Sequence, residues 1–143
     1  MRRTPASFAA PFALLAAAAL AAPVQAADLD VAIRDARSQA GQFRVALVDA
    51  AGYAGKAAPI AARLQPPSGD VTRVRFADVP SGRYALMVIH DENGNGTLDT
   101  NVIGMPVEGY GFSNNPQVMR KPTWEESRFE LDDDALSITI DLR

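Results

Sequence analysis

The chain contains no cysteine and a single histidine, His90. Without cysteine no disulfide can form, and no lipid can be attached at a lipobox. A tetrahedral zinc site would have one histidine and would need carboxylates for its other ligands. Nucleophilic chemistry with Ser81 or Ser113 lacks its usual setting, since neither serine lies in a G-x-S-x-G elbow. Basic residues are also in deficit, 14 Lys and Arg against 17 Asp and Glu, for a formal charge of −3. That is the wrong sign for a nucleic-acid partner, and no basic stripe is interleaved with aromatics. Aromatics make up 7% of the chain. Glycoside hydrolysis by Asp91 and Asp99 would therefore lack the aromatic-lined groove a sugar needs.

Long apolar runs are missing everywhere but at the start. Arg2 and Arg3 precede the apolar stretch Phe8 to Ala22, and "VQA" (Val24 to Ala26) places small residues where a signal peptidase reads. The stretch falls short of the ~20 residues of a membrane span. Residues 1–26 are expected to be a cleaved signal peptide and 27–143 a soluble domain, periplasmic or secreted and not membrane-embedded. Losing Arg2 and Arg3 lowers Lys and Arg from 14 to 12 against 17 acids, so the mature charge is −5. A length of 117 residues suits one domain with one core.

What remains reads as strands. Leu29, Val31 and Ile33 alternate with polar residues, as do Phe43, Val45 and Leu47. "VTRVRFADV" alternates less cleanly. "RYALMVIH" (Arg83 to His90) is almost continuously apolar, which suits a central strand covered on both faces. "SRFEL" and "LSITIDLR" supply two more short strands. "YAGKAAPIAARLQ" carries Pro59 inside it and is expected to form a loop and a strand near 59–64. The turn signals "SQAGQ", "PPSGD", "DVPSG", "DENGNG" and "LDDDA" fall between these runs. No amphipathic helix stands out. The expected fold is all-β, a single antiparallel β-sandwich of about seven strands, transthyretin-like or immunoglobulin-like. In "FADVPSGRYALMV" a short Pro-Ser-Gly turn is expected to bring both flanking strands onto one sheet.

The stretch "HDENGNGTLDTN" (His90 to Asn101) concentrates the unusual chemistry. Asp91, Asn93, Asn95, Thr97 and Asp99 recur at every second position, with glycines at 94 and 96 that let the backbone curl. D-x-N-x-N-G-x-L-D matches the first nine positions of an EF-hand-type calcium loop, with Thr97 offering its carbonyl at the seventh. The match ends there. Position twelve is Val102 where a bidentate Glu is needed, and no helices flank the loop. A calcium loop of the same local shape on a sandwich would take its missing carboxylate from Glu92 or Glu108. The competing reading is a long hairpin loop of turn formers with solvated carboxylates. His90, as a lone histidine, fits a structural hydrogen-bonding role better than a ligand.

"GMPVEGYGFSNNPQ" (Gly104 to Gln117) holds Tyr110 and Phe112 in a loop near the acidic one. Either these aromatics cap one end of the sandwich, or they form the rim of a ligand site with His90 beside them. In that second case Ser113, Asn114 and Asn115 supply the polar contacts.

The segment "YALMVIHDENGNGTLDTNVIGMPVEGYGFSNN" resembles the signature of a family of small exported bacterial proteins designated a domain of unknown function. In that signature a strand ending HDEN-NG-LD is followed by G-P-EG-GFSNN. The resemblance runs well from Val74 to Leu142 and loosely over the N-terminal strands. It implies a signal peptide, one all-β domain and no assigned activity. The expectation is thus a non-enzymatic binding or interaction module, with calcium on the loop and a protein or small-molecule partner at the loop end. The rival is a hydrolase or lyase that uses His90 with Asp91 or Asp99, and it requires an accessible His90 beside a pocket.

Overall fold

The computed structural model describes residues 25–143. The expected signal segment lies outside the described residues except at its end, where Ala26 opens the first strand. Eight strands form two sheets. In the three-stranded sheet, β1 (Ala26–Arg34) lies between β4 (Val71–Pro80) and β8 (Leu136–Asp141). In the five-stranded sheet, β3 (Ala61–Gln65), β2 (Gln42–Val48), β5 (Gly82–Asp91) and β6 (Tyr110–Phe112) follow in that order. There β7 (Phe129–Leu131) also pairs with β5. Two single-turn helices, α1 (Ala50–Tyr53) and α2 (Trp124–Ser127), complete the set. No helix among the described residues is long and apolar enough to cross a membrane.

The expected all-β sandwich is what forms, and period-two alternation builds its core. Leu29, Val31 and Ile33 of β1 are buried, as are Phe43, Val45 and Leu47 of β2 and Leu86 and Val88 of β5. Register aligns the pairs Val45–Val88 and Leu47–Leu86 across β2 and β5. Each such side chain, fully buried, contributes ~1.5–3 kcal/mol relative to exposure. All pairings within the sheets are antiparallel except β1 with β8, which run parallel, with Val31 opposite Ile138 and Ile33 opposite Ile140. The sheets come close at one edge. A β-carbon on Gly111 would lie 2.5 Å from Ile140 Cγ2, so only glycine fits there.

One expectation is corrected. The strands of "FADVPSGRYALMV" do not share a sheet: β4 pairs with β1, and β5 pairs with β2, β6 and β7. Ser81 alone separates them, and the chain turns a corner between sheets. The reason lies in β4 itself. It is hydrogen-bonded to β1 as far as Pro80 opposite Ala26, with a register shift opposite Asp28 where Asp78 takes φ 54°. Such a bulge bends the strand and lets it leave its sheet. The Tyr84 hydroxyl then donates to the Pro80 carbonyl across the corner, 2.9 Å, and fixes the turn.

The continuous apolar run of β5 also finds its explanation. Its inner face meets the main core, and Ala85 on the outer face packs with Val48 and Tyr53, flanked by Met87, Phe112 and Trp124. The outward row then continues through Met87 and Ile89 to Asp91.

Candidate functional site

β5 ends by delivering His90 and Asp91 to opposite faces. His90 points inward and is fully buried, beside Phe43 with ring centroids 4.7 Å apart. Its Nε2 pairs with the Ala40 carbonyl at 2.8 Å. Nδ1 has no hydrogen-bond partner, and the nearest carboxylate oxygen, Glu92 Oε1, is 4.0 Å away. Gly109 packs on the ring, where a β-carbon would sit 3.2 Å from His90 Cβ. The histidine thus pins the β1–β2 loop to the sheet. It does not open to solvent.

Residues 92–109 form one long hairpin loop between the antiparallel neighbours β5 and β6, in which Ile89 faces Tyr110. Its first half folds on its own side chains. Asp91 Oδ2 accepts from the Gly96 amide at 2.9 Å. Asn93 Oδ1 accepts from Asn95 N at 3.0 Å, and Asn95 Oδ1 accepts from Thr97 N at 2.9 Å and from the Thr97 hydroxyl. These are the local turns that Asn and Asp offer the backbone. Gly94 and Gly96 take φ of 75° and 84°, which the curl requires. The amides of Asn93 and Asn95 donate to the two oxygens of Asp99, at 2.5 and 2.8 Å. Asn93, Asn95 and Asp99 are therefore gathered into one cluster, and Asp91 is tied to the same loop through Gly96.

Glu108 ties the two ends of this half together. It is buried, and its oxygens accept from Glu92 N and Asp99 N, each at 3.0 Å. Glu92 faces the β1–β2 loop instead, taking Arg37 at 3.2 Å and the Ser38 hydroxyl at 2.9 Å. Behind Asp91 stands Gly41 with φ 67°, where a β-carbon would fall 2.0 Å from the Asp91 carbonyl. Sequence reading missed this backing, since "SQAGQ" carries only a turn signal.

The electrostatic anomaly is Asp91. Its side chain is fully buried, one oxygen is bound to Gly96, and the other, Oδ1, has no hydrogen-bond partner. A buried carboxylate oxygen left unsatisfied carries a desolvation penalty of ~1–3 kcal/mol or more. Because Oδ2 already takes an amide of the loop, the carboxylate faces into the curl. Among the described residues no three of His, Asp or Glu are grouped to hold a metal ion. The loop holds the carboxylates of Asp91 and Asp99 and the amides of Asn93 and Asn95, whose nitrogens face Asp99 and whose oxygens are bonded within the loop. Arg44 reaches the loop near Gly96 but forms no ion pair with Asp91 or Asp99 among the described residues.

The family question is decided over residues 31–139, which match a single family model. The chain belongs to the family described as "Uncharacterized protein conserved in bacteria (DUF2141)". No curated protein and no solved structure matches it. The DUF2141 description assigns no activity.

The second stretch singled out in the sequence divides between interior and surface. Ser113 is fully buried. Its oxygen accepts from Leu86 N at 2.9 Å and its hydroxyl donates to the Ser127 carbonyl. Asn114 and Asn115 adopt φ of 65° and 47° and spend their amides on the backbone, Asn114 on Arg128 O and Asn115 on Thr139 O. These three residues hold α2 and β8 in place. Tyr110 and Phe112 are half-buried, with rings 6.3 Å apart, and line a cavity of about 370 Å³ on the outer face of the five-stranded sheet. Met87, Met105, Met119 and Lys121 line it too, and the sequence reading passed over them. The signal was present: apart from Met1, these are all the methionines of the chain.

Proposed function

We propose that this domain is a non-enzymatic binding module of the cell exterior whose loop 91–99 takes a calcium ion. The observation that carries this reading is the buried, unpartnered Oδ1 of Asp91 at the head of a loop already curled by its own Asx turns. A cation there would satisfy Oδ1 and offset the buried charge of Asp91. Asn93 and Asn95 would add amide oxygens once their amides turn from Asp99 and from the Thr97 hydroxyl, and Thr97 its carbonyl, in the order that calcium loops of this spacing use. Glu108, whose oxygens each keep a second lone pair, holds the loop ends at a fixed separation and stands as the sixth protein candidate. Calcium is preferred over magnesium because a flexible glycine-rich loop does not enforce the rigid octahedron that magnesium demands.

The rival hydrolase or lyase gains no support from His90. A general base must come within hydrogen-bond reach of the proton it takes, and this ring is buried with Nε2 engaged. The test is calorimetric titration of chelator-treated protein, residues 27–143. One calcium per chain, with magnesium weaker and no calcium heat in Asp91→Asn, is the expected outcome. Absence of any saturable calcium heat in the unmodified protein would reject it.

A further inference from the structure

The second half of the long hairpin loop builds a different site. Asn101 closes its tip, accepting with Oδ1 from Ile103 N and Met105 N, and Thr100 bridges Pro106. The returning arm stands over the outer face of β5 and β6, and the segment around Met119 to Lys121 completes the wall. Between them lies the cavity of about 370 Å³, inside the ~300–1,000 Å³ range of small-molecule sites. Its lining is apolar, and the three methionines are its most adaptable part. An unbranched, polarisable thioether side chain fits apolar ligands of varying shape. Met119 is 91% exposed, which leaves a large apolar surface at the mouth.

The charges at the mouth are of one sign. Arg120 and Lys121 border the cavity, and no carboxylate does. Arg120 is already spent on Glu126 through two hydrogen bonds of 2.7 and 2.9 Å. Lys121 is not: it forms no ion pair among the described residues. Its Nζ donates to the Tyr53 carbonyl at 3.1 Å and stands 4.5 Å from the centre of the Tyr53 ring. None of its N–H groups meets a carboxylate among the described residues. An apolar cavity bordered by one lysine that has no ion pair selects a molecule with a greasy body and a negative head.

We propose that this pocket binds a free single-chain amphiphile with an anionic head, a long-chain carboxylate in its simplest form. The chain lies among Met87, Met105 and Met119 against Tyr110 and Phe112, and the head group meets Lys121. The site shares no side chain with the calcium cluster.

The test is titration with dodecanoate below its micellar concentration, in chelator so that calcium plays no part. Dodecanol and dodecyltrimethylammonium serve as comparison ligands of equal chain length. One dodecanoate per chain is expected, with the alcohol and the cation each at least about tenfold weaker, the scale of one charge-assisted hydrogen bond. Lys121→Gln, at an exposed position, should weaken dodecanoate about tenfold and leave dodecanol unchanged. Equal affinity for all three heads on the unmodified protein, or no saturable binding, would overturn the proposal without touching the calcium assignment. So would a dimer that Ile103→Asp disperses in a protein that takes up no dodecanoate, which would assign the face to self-association.

Discussion

Asp91 and Gly96 are joined by one hydrogen bond of 2.9 Å that closes the head of the acidic loop and leaves the second Asp91 oxygen buried without a partner. A carboxylate kept in that state lowers the stability of the fold. Such local penalties concentrate at functional sites.

The first prediction follows from that penalty. Asp91→Asn keeps the side-chain shape, retains an oxygen for Gly96 and removes the buried charge. In chelator the variant should be as stable as the parent or more stable by about 1 kcal/mol, since an unpartnered neutral amide nitrogen costs less to bury than an unpartnered carboxylate oxygen. Urea unfolding at neutral pH measures this. A purely structural Asp91 would instead give a variant that is markedly less stable.

Glu108 should behave in the opposite way. It satisfies two backbone amides at once, Glu92 N and Asp99 N. Glu108→Ala should lower stability by about 2 kcal/mol and speed hydrogen exchange at those two amides ahead of the rest of the sheet. Unchanged exchange there would show that the loop ends are held by something else.

Much of this arrangement was legible in the sequence, and the boundary has physical causes. Alternation gave β1, β2 and β8 because each buries one face, and "RYALMVIH" signalled a strand covered on both. Pro59 correctly broke the alanine-rich stretch ahead of β3, which begins at Ala61. β6 escaped notice because it is three residues long and centred on Gly111, whose reason lies in Ile140 of the other sheet. The sheet assignment of β5 failed because a one-residue corner and a tight hairpin share the same turn residues. At the site, residues close in sequence could be grouped by spacing, as with Asp91 to Asp99. Gly41 and Lys121 come from distant segments, and only the tertiary fold brings them to the loop and the pocket.

Acid should act through Glu126. Hydrogen bonds from Arg120, foremost, and from the Thr123 amide hold its carboxyl at about 2, against an ordinary value of 4.5. A depressed folded value means that the stabilisation is complete above about 4.5 and is lost as the pH falls towards 2. The pair is at the surface, so the effect is modest and salt-sensitive. The melting temperature of Glu126→Gln should therefore fall less steeply than that of the parent between pH 4.5 and 2. Parallel curves would contradict this.

Export should leave Ala27 as the first residue of the mature protein. Intact-mass measurement of the periplasmic fraction reads this directly. A chain that retains Met1 in washed membranes would contradict both the cleavage site and the exterior location.

Thermal melting with and without calcium reads occupancy of the loop. An ion that binds the folded loop and not the unfolded chain stabilises by ~2.7 kcal/mol at 100 times its dissociation constant. The melting temperature in millimolar calcium should accordingly exceed that in chelator, with magnesium doing less. Asp91→Asn should abolish the shift, and Asp133→Ala, in the other acidic turn, should keep it. Coincident melts of the parent in saturating calcium and in chelator would rule out the ion and return residues 91–99 to an ordinary solvated turn.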